Sequence, residues 1–422
     1  MKIRAPKIYL LRKETLVRSC FHWGIFIAYL GSLYPWFMWK LGGAYQVLSA
    51  ILLMGALMLA KTMKAPFYTR RDFLLPIVGY LLLSYYQMLV NGNNAMAYIA
   101  NAFSIAIFFS LFTVGREELS RLANFLSKVM GAMVLVSMSM FFLYLMGFPL
   151  PHTSAQFMDG FYSFDNYYFF MLDDRFLWVI IPRFQSVFLE PNHLGTATTL
   201  LLFTQYGKWK RWYNISMIVA TLISFSLGAY VLLAAVVILH LWMRRKHFIG
   251  KLILVLSLFA GIVTASFFYN GGENMFHDLI VLRMEMDDGE LVQDSRVNAS
   301  FEAEYDNFIQ TPDILWGRDM SNVDEEGNSG YKVYIYENGL VGLLFVIVFY
   351  VVSWRRYCDR RFFLATWAIA ILAFIARGYP IWYNYYIPFY CVAMALPLAE
   401  SKKGLDAAGV GEVESEIAKS ES

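Results

Sequence analysis

Residues 208–246 read KWKRWYNISMIVATLISFSLGAYVLLAAVVILHLWMRRK, and this stretch decides how the chain is organised. Two basic clusters, Lys208-Lys210-Arg211 and Arg244-Arg245-Lys246, bracket an apolar run from Ile215 to Trp242. Basic residues beside apolar spans stay on the cytoplasmic face, so both clusters belong on the same side. The chain must therefore enter the bilayer and return within the run. Two arms of about 14 residues reach only about 21 Å each at 1.5 Å per residue, short of a hydrocarbon core of roughly 30 Å. The turn, around Ser224-Phe225-Ser226-Leu227-Gly228, then lies below the far surface. Non-helical backbone is tolerated at such depth where protein buries it or where it lines a wet cavity. The reading is a hairpin of spans 215–227 and 228–242 beside a cavity that opens outward. The alternative is one long tilted helix that leaves one basic cluster on the wrong side.

The same logic extends to the whole chain. Hydrophobic residues make up 58% of the 422 and charged residues 16%, against roughly 45–50% and about 25% in soluble domains. The composition excludes an ordinary soluble domain. Of the 35 Lys and Arg, 27 fall in seven clusters, at 2–18, 61–71, 116–128, 208–211, 244–251, 355–361 and 402–419. Each cluster borders an apolar span, so none reads as a nucleic-acid face. Spans near 20–38, 42–60, 73–90, 96–114, 124–147, 192–206, 215–227, 228–242, 250–268, 333–352, 362–377 and 381–398 put every cluster inside. The expectation is an all-α, polytopic membrane protein with about 12 transmembrane helices and both termini cytoplasmic. Residues 1–398 form a single polytopic domain, and residues 399–422 form a polar, disordered tail. The first span from Phe21 ends in Trp36-Phe37-Met38-Trp39 without a small-residue cleavage site, which reads as a retained helix. Cys20, Cys358 and Cys391 lie within spans or on the cytoplasmic side, so no disulfide framework is expected.

Two long external loops remain, 148–182 and 269–332. The second is acidic, but Val297, Phe301, Tyr305 and Phe308 fall on one face after a capping Asp294 or Ser295, which predicts a short amphipathic helix ended by Pro312. The first is crowded with aromatics between Phe157 and Trp178, suited to headgroup anchoring or to stacking on sugars. Eight cations lie outside the clusters, and six are arginines near the external face: Arg175, Arg183, Arg283, Arg296, Arg318 and Arg377. Arginine grips phosphate through two parallel hydrogen bonds; the plain alternative is pairing with a nearby carboxylate or snorkelling.

Residues 182–195 read PRFQSVFLEPNHLG. This ionisable cluster runs straight into a span, where charge is costly and usually functional. Pro191 suits a first helical position with Glu190 as the cap. The functional alternative has Arg183 bind an anion while Glu190 or His193 serves as a base or orients a hydroxyl. The Arg-x-x-Ser-x-Phe-x-Glu-Pro-Asn-x-x-Gly pattern resembles the signature of the O-antigen polymerase and O-antigen ligase superfamily, bacterial inner-membrane glycosyltransferases. The Ser224–Gly228 break, the large loop that follows, Asn328-Ser329-Gly330-Tyr331 and Tyr336-Glu337-Asn338-Gly339-Leu340-Val341-Gly342 agree with it. The resemblance covers roughly residues 180–345.

The resemblance implies a GT-C-like fold in the bacterial inner membrane and metal-independent transfer from a polyprenyl-pyrophosphate-linked oligosaccharide, with no cofactor. It makes Glu190, Arg183, Arg296 and His193 the catalytic candidates, and Arg318, Asn192, Asn328, Tyr331 and Arg377 the substrate-binding ones. Membrane lipid is a partner, and a chain-length regulator protein is a candidate partner. Ligases carry histidine where this chain has Asn328, which favours a polymerase of O-antigen, capsule or exopolysaccharide. Metal-dependent relatives place an acid in the first external loop, and residues 37–44 hold none. A secondary transporter or flippase is the alternative from another class, but transporters tend toward two related halves and mid-membrane charge, and neither pattern is evident here. The topology makes a direct prediction. In an otherwise cysteine-free chain, a cysteine at Ser163 or Asn322 should label from outside with a membrane-impermeant maleimide. One at Ser353 should not, and its labelling would overturn the span count.

Overall fold

The computed structural model describes residues 7–63, 67–68, 73–90, 95–157, 162–173, 182–244, 248–272, 277, 286–287, 290–291, 299–318, 330–354, 359–376 and 378–407. The helices are α1 (Lys7–Gly31), α2 (Ala44–Thr62), α3 (Leu74–Val90), α4 (Ala95–Thr113), α5 (Arg116–Leu145), α6 (Pro191–Thr204), α7 (Trp212–Ile223), α8 (Leu227–Arg244), α9 (Phe248–Phe268), α10 (Ala299–Phe308), α11 (Gly330–Trp354), α12 (Arg360–Ala376) and α13 (Tyr383–Ala407). All but α10 overlap, one for one, the twelve apolar spans. Among the described residues α2, α5, α8, α9 and α11 are long and apolar enough to cross a membrane, and α3, α4 and α7 are shorter apolar helices. Their outward faces carry exposed Leu74, Leu75, Ile249, Ile253 and Leu344. Apolar surface of that extent is not stable in water, and the chain is a membrane-embedded helical protein.

Among the described residues, contacts gather Arg18, Arg116, Arg121, Arg244 and Arg361 of the basic clusters at one end. Glu118, buried at the start of α5, accepts from Arg18 Nε at 2.9 Å and Arg121 Nη1 at 3.0 Å and lies 2.9 Å from His22 Nε2. Arg116 donates to the Met394 carbonyl, Arg244 to Tyr206 and Arg361 to Met243. The hairpin is present. The helix breaks at Ser224–Ser226, and both arms return to one place: Asn214 near the start of α7 donates to the Lys208 carbonyl, while Arg244 at the end of α8 reaches Tyr206. A single long helix is ruled out by this return.

Among the described helices α6 is the most enclosed, with all but one of its residues buried. It holds four threonines in apolar surroundings, and the hydroxyls of Thr198, Thr199 and Thr204 bond their own helix or a neighbour. Thr198 Oγ1 donates to the Leu194 carbonyl at 2.8 Å and meets Thr221 Oγ1 at 2.7 Å, and Thr199 Oγ1 donates to Gly195 at 2.7 Å; a buried hydroxyl left unpaired would cost about 1–3 kcal/mol. Tyr29 of α1 donates to the Ala197 carbonyl of α6, and Ser32 Oγ accepts from the Asn384 amide of α13. The helices α1, α6 and α13 thus form the centre of the bundle.

The segment expected as an irregular loop contains β1 (Thr153–Phe157), β2 (Tyr162–Asn166) and β3 (Met171–Asp173), paired antiparallel in that order. Phe157 faces Tyr162, and Phe164 faces Asp173. Tyr162, Phe164 and Asn166 turn inward at every second position, the period of a strand with one buried face. The all-α expectation is amended here, because aromatic alternation is a strand signal when the face has something to pack on, in this case Trp36, Trp39 and Leu189. In the second long loop Phe301, Tyr305 and Phe308 of α10 pack together against Tyr336 of α11 as the periodicity predicts; Val297 lies outside the described residues. Two-residue strands β4 (Met286–Asp287) and β5 (Glu290–Leu291) also pair there. The last helix runs to Ala407, nine residues past Leu398, where the tail was expected to begin; the remainder of the tail lies outside the described residues.

Gly195 lets α6 and α8 touch, since a Cβ there would sit 2.1 Å from the Ala229 Cβ. Gly195→Ala should therefore cost about 1–3 kcal/mol through overpacking, read as a lower melting temperature of the purified protein. Gly55→Ala, where nothing lies within 4 Å, should be neutral or mildly stabilising. Equal melting of the two variants would refute the close helix contact.

Candidate functional site

At the end opposite the basic residues, three stretches of chain that are remote in sequence meet. The first is the corner after α1. Tyr34 has φ 52°, costly for a bulky side chain, and is held there by Trp39 Nε1, which donates to its carbonyl at 2.9 Å. The second is residues 183–190, which lead into α6. The Trp36 amide donates to the Val187 carbonyl at 3.0 Å, and Pro35 bridges Phe188. The third is the hairpin turn. The Phe184 amide donates to the Ile223 carbonyl at 3.2 Å, and Arg183 Nε donates to the Ser224 carbonyl at 3.3 Å. Ser186, with φ 53°, gives its carbonyl to the Met171 amide and its hydroxyl to Ser137 Oγ at 2.7 Å. The sheet, α5, α6 and the hairpin thus converge on one loop.

The expected site residues fall into three groups. Arg183, Glu190, Asn192 and His193 share this convergence. Glu190 occupies the cap position of α6 with Pro191 following, yet its side chain makes no capping bond. Its carboxylate instead accepts the Tyr162 hydroxyl at 2.5 Å. Asn192 is buried, and its Oδ1 lies 3.5 Å from Ser226 Oγ and 3.0 Å from where a Gly228 Cβ would be; it joins the signature helix to the hairpin. The His193 ring stacks on Tyr34, with centroids 6.3 Å apart.

Arg318 is engaged differently. Nε donates to Asp313 at 2.8 Å, Nη1 to Glu304 at 2.9 Å and Nη2 to Thr311 at 3.2 Å, and the guanidinium lies over Phe308. This arrangement ties α10 to the turn at Pro312–Leu315 and so to α11. Tyr331 lies in the first turn of α11. Arg296, Asn328 and Arg377 lie outside the described residues.

Sequence reasoning did not single out a second polar group at the same end. The Tyr379 hydroxyl donates to Glu337 Oε2 at 2.9 Å, and Asn338 Nδ2 lies 3.3 Å from the same hydroxyl. Tyr86 of α3 donates to the carbonyls of Asn338 and Trp316. Gly339, at φ 62° and ψ −176°, breaks α11 here. A Cβ on Gly339 would lie 2.4 Å from the Leu315 carbonyl, and one on Gly317 2.3 Å from the Glu337 carbonyl. The Glu-Asn-Gly run thus needs glycine for backbone contact with the long loop. Its signal was visible as a motif, but its partner Tyr379 was not.

Among the described residues, most of the loop aromatics expected to anchor or stack are consumed by packing. Tyr162, Phe164 and Phe170 are buried, while Tyr168 and Phe169 stay exposed. Among the described residues no group of three or more His, Cys, Asp or Glu is spaced to hold a metal ion. Comparison with protein-family models, with curated proteins and with solved structures finds no match to this chain. The role of Arg318 gives a prediction. Arg318→Lys keeps the charge but loses the three-way fork, so limited proteolysis should cut the 299–318 segment several-fold faster while the transmembrane bundle melts as before; unchanged cleavage would remove the tethering role.

Proposed function

We propose that this protein is a polysaccharide polymerase of the bacterial inner membrane that crosses the bilayer 12 times and joins polyprenyl-pyrophosphate-linked repeat units on the external face. The observation that carries the reading is the junction of Arg183 with the Ser224 carbonyl and of Asn192 with Ser226. Two motifs that resemble the O-antigen polymerase and ligase signatures meet there, although some 30 residues separate them. The helices α6, α8 and α13 also begin at this end, so their positive dipole ends favour an anion beside Arg183.

In the proposed reaction the acceptor hydroxyl oxygen attacks the anomeric carbon of the donor. A new glycosidic C–O bond forms as the bond to the pyrophosphate oxygen breaks. The pyrophosphate leaves with the electron pair, and the hydroxyl proton passes to Glu190, with His193 the other candidate. Arg183, with Arg296 from the long loop, stabilises the charge that builds on the leaving oxygen; preorganised cations lower such a barrier directly. Tyr162 orients the Glu190 carboxylate. No divalent ion or cofactor is required by this chemistry. A ligase shares donor and leaving group, and is separated by its acceptor.

Arg183→Ala and Arg296→Ala should each abolish polymer while protein stays in the membrane, and lysine at either site should rescue poorly. Glu190→Gln should reduce activity more than Asn328→Ala. A strain lacking the protein should accumulate single carrier-linked repeat units without a ladder on a gel. Long polymer stranded on the carrier would instead identify a ligase.

A further inference from the structure

The two polar groups at the site end are joined by a run of aromatic rings. His193 stacks on Tyr34 at 6.3 Å, and Tyr34 meets Trp382 edge-on at 6.3 Å with 66° between planes. Trp382 stacks on Tyr379 at 5.8 Å with 25° between planes, and Tyr379 donates to Glu337. Tyr34 is 41% exposed, and Trp382 and Tyr379 are half-buried. Rings placed only to anchor a helix at the headgroups belong on the lipid-facing rim. These rings crown α1 and α13 next to the start of α6, the three helices at the centre of the bundle. The strained backbone of Tyr34, stitched down by Trp39 and followed at once by the 35–36 contacts with 187–188, holds its ring in one place. Strain of that kind persists where surrounding structure over-determines it, and such positions cluster at binding sites.

We propose that Tyr34, Trp382 and Tyr379 form a stacking platform for a pyranose ring, with Glu337 at one end and His193 at the other as hydrogen-bonding partners for its hydroxyls. A pyranose offers an apolar face of C–H groups and a rim of hydroxyls. The near-parallel Trp382 and Tyr379 rings, with Tyr34 set at 66° to Trp382 as a side wall, put angled aromatic area between a carboxylate and an imidazole and complement both at once. An isoprenoid tail or a headgroup phosphate would not use this pattern, because the first needs no polar ends and the second is repelled by Glu337. The platform runs from the Arg183–Glu190 junction to Glu337, so it seats sugar on the side of the site away from the pyrophosphate. Below Tyr379 an apolar cleft lined by Tyr350, Trp367, Phe374 and Tyr385 continues between α11, α12 and α13, placing sugar-binding and lipid-compatible surfaces side by side. This assignment rests on the glycan-transfer reading and names its sugar subsite.

The test uses full-length protein in nanodiscs free of sugar-headed detergent, with repeat-unit oligosaccharide released by mild acid from the strain's own polymer. Saturation-transfer NMR should carry magnetisation from protein aromatic protons to sugar ring C–H protons. Tyr34→Ala and Trp382→Ala should weaken binding about tenfold, whereas Tyr34→Phe should stay within about twofold because the ring face remains. Glu337→Gln should weaken binding several-fold. Arg183→Ala should bind this pyrophosphate-free probe normally even though it makes no polymer, so loss of the pyrophosphate reading and loss of the platform give different results. Melting curves identify any alanine variant that fails to fold, and Tyr34→Leu and Trp382→Leu then replace it. Wild-type affinity in the folded alanine or leucine variants, or no transfer to sugar in the wild type, overturns the proposal.

Discussion

Inside a bilayer a backbone amide has no water to bond, and each unpaired group costs several kcal/mol. This chain nevertheless contains three non-helical stretches near its core, residues 34–36, 183–188 and 224–226. They are tolerated because they satisfy one another. Trp36 donates to Val187, Phe184 donates to Ile223, Arg183 bonds Ser224, and Ser186 is held by Met171 and Ser137. The corner after α1, the lead into α6 and the turn of the hairpin are therefore one structural unit. If any of the three moved, the backbone groups of the other two would be exposed.

The helices serve that unit. Close approach of α6 to α8 at Gly195 and Ala229 brings the hairpin turn over the start of α6. Thr198, Thr199 and Thr204 of α6 fold their hydroxyls back on its own carbonyls, so the central helix carries polar atoms without exposing them. At the other end Glu118 collects Arg18, His22 and Arg121 and pins α1 to α5. A buried carboxylate is stable only when so paired, and losing its partners would leave an uncompensated charge worth about 3–5 kcal/mol. That cluster locks the helices at the end away from the site.

The arrangement of polar groups makes chemical sense as a division of labour. Arg183 and the helix N-termini supply positive potential beside Glu190, and Tyr162 holds that carboxylate from the sheet. Glu337 and Tyr379 form a second polar pair, carried by α11 at a break that only glycine permits. The proposed transfer needs two regions of this kind, one to stabilise a departing pyrophosphate and one to seat an acceptor sugar. Arg318 belongs to neither; its three hydrogen bonds hold the long loop against α11.

Much of this was legible in the residues because it depends on local rules. Apolar length and basic flanks mark the apolar helices and the hairpin at 215–242, since both follow from the cost of putting charge in hydrocarbon. The face made by Phe301, Tyr305 and Phe308 follows from helical periodicity. The strands at 153–173 were hidden, because their alternating aromatics look the same as an anchoring loop until Trp36, Trp39 and Leu189 provide a surface to pack on. The partnership of Glu190 with Tyr162, of Glu337 with Tyr379, and of Tyr34 with His193 and Trp382 likewise came only with the tertiary structure. Each joins residues 28 to 348 positions apart, and no local propensity encodes which of many tyrosines ends beside a given carboxylate. That choice is made by how α1, α6 and α13 pack.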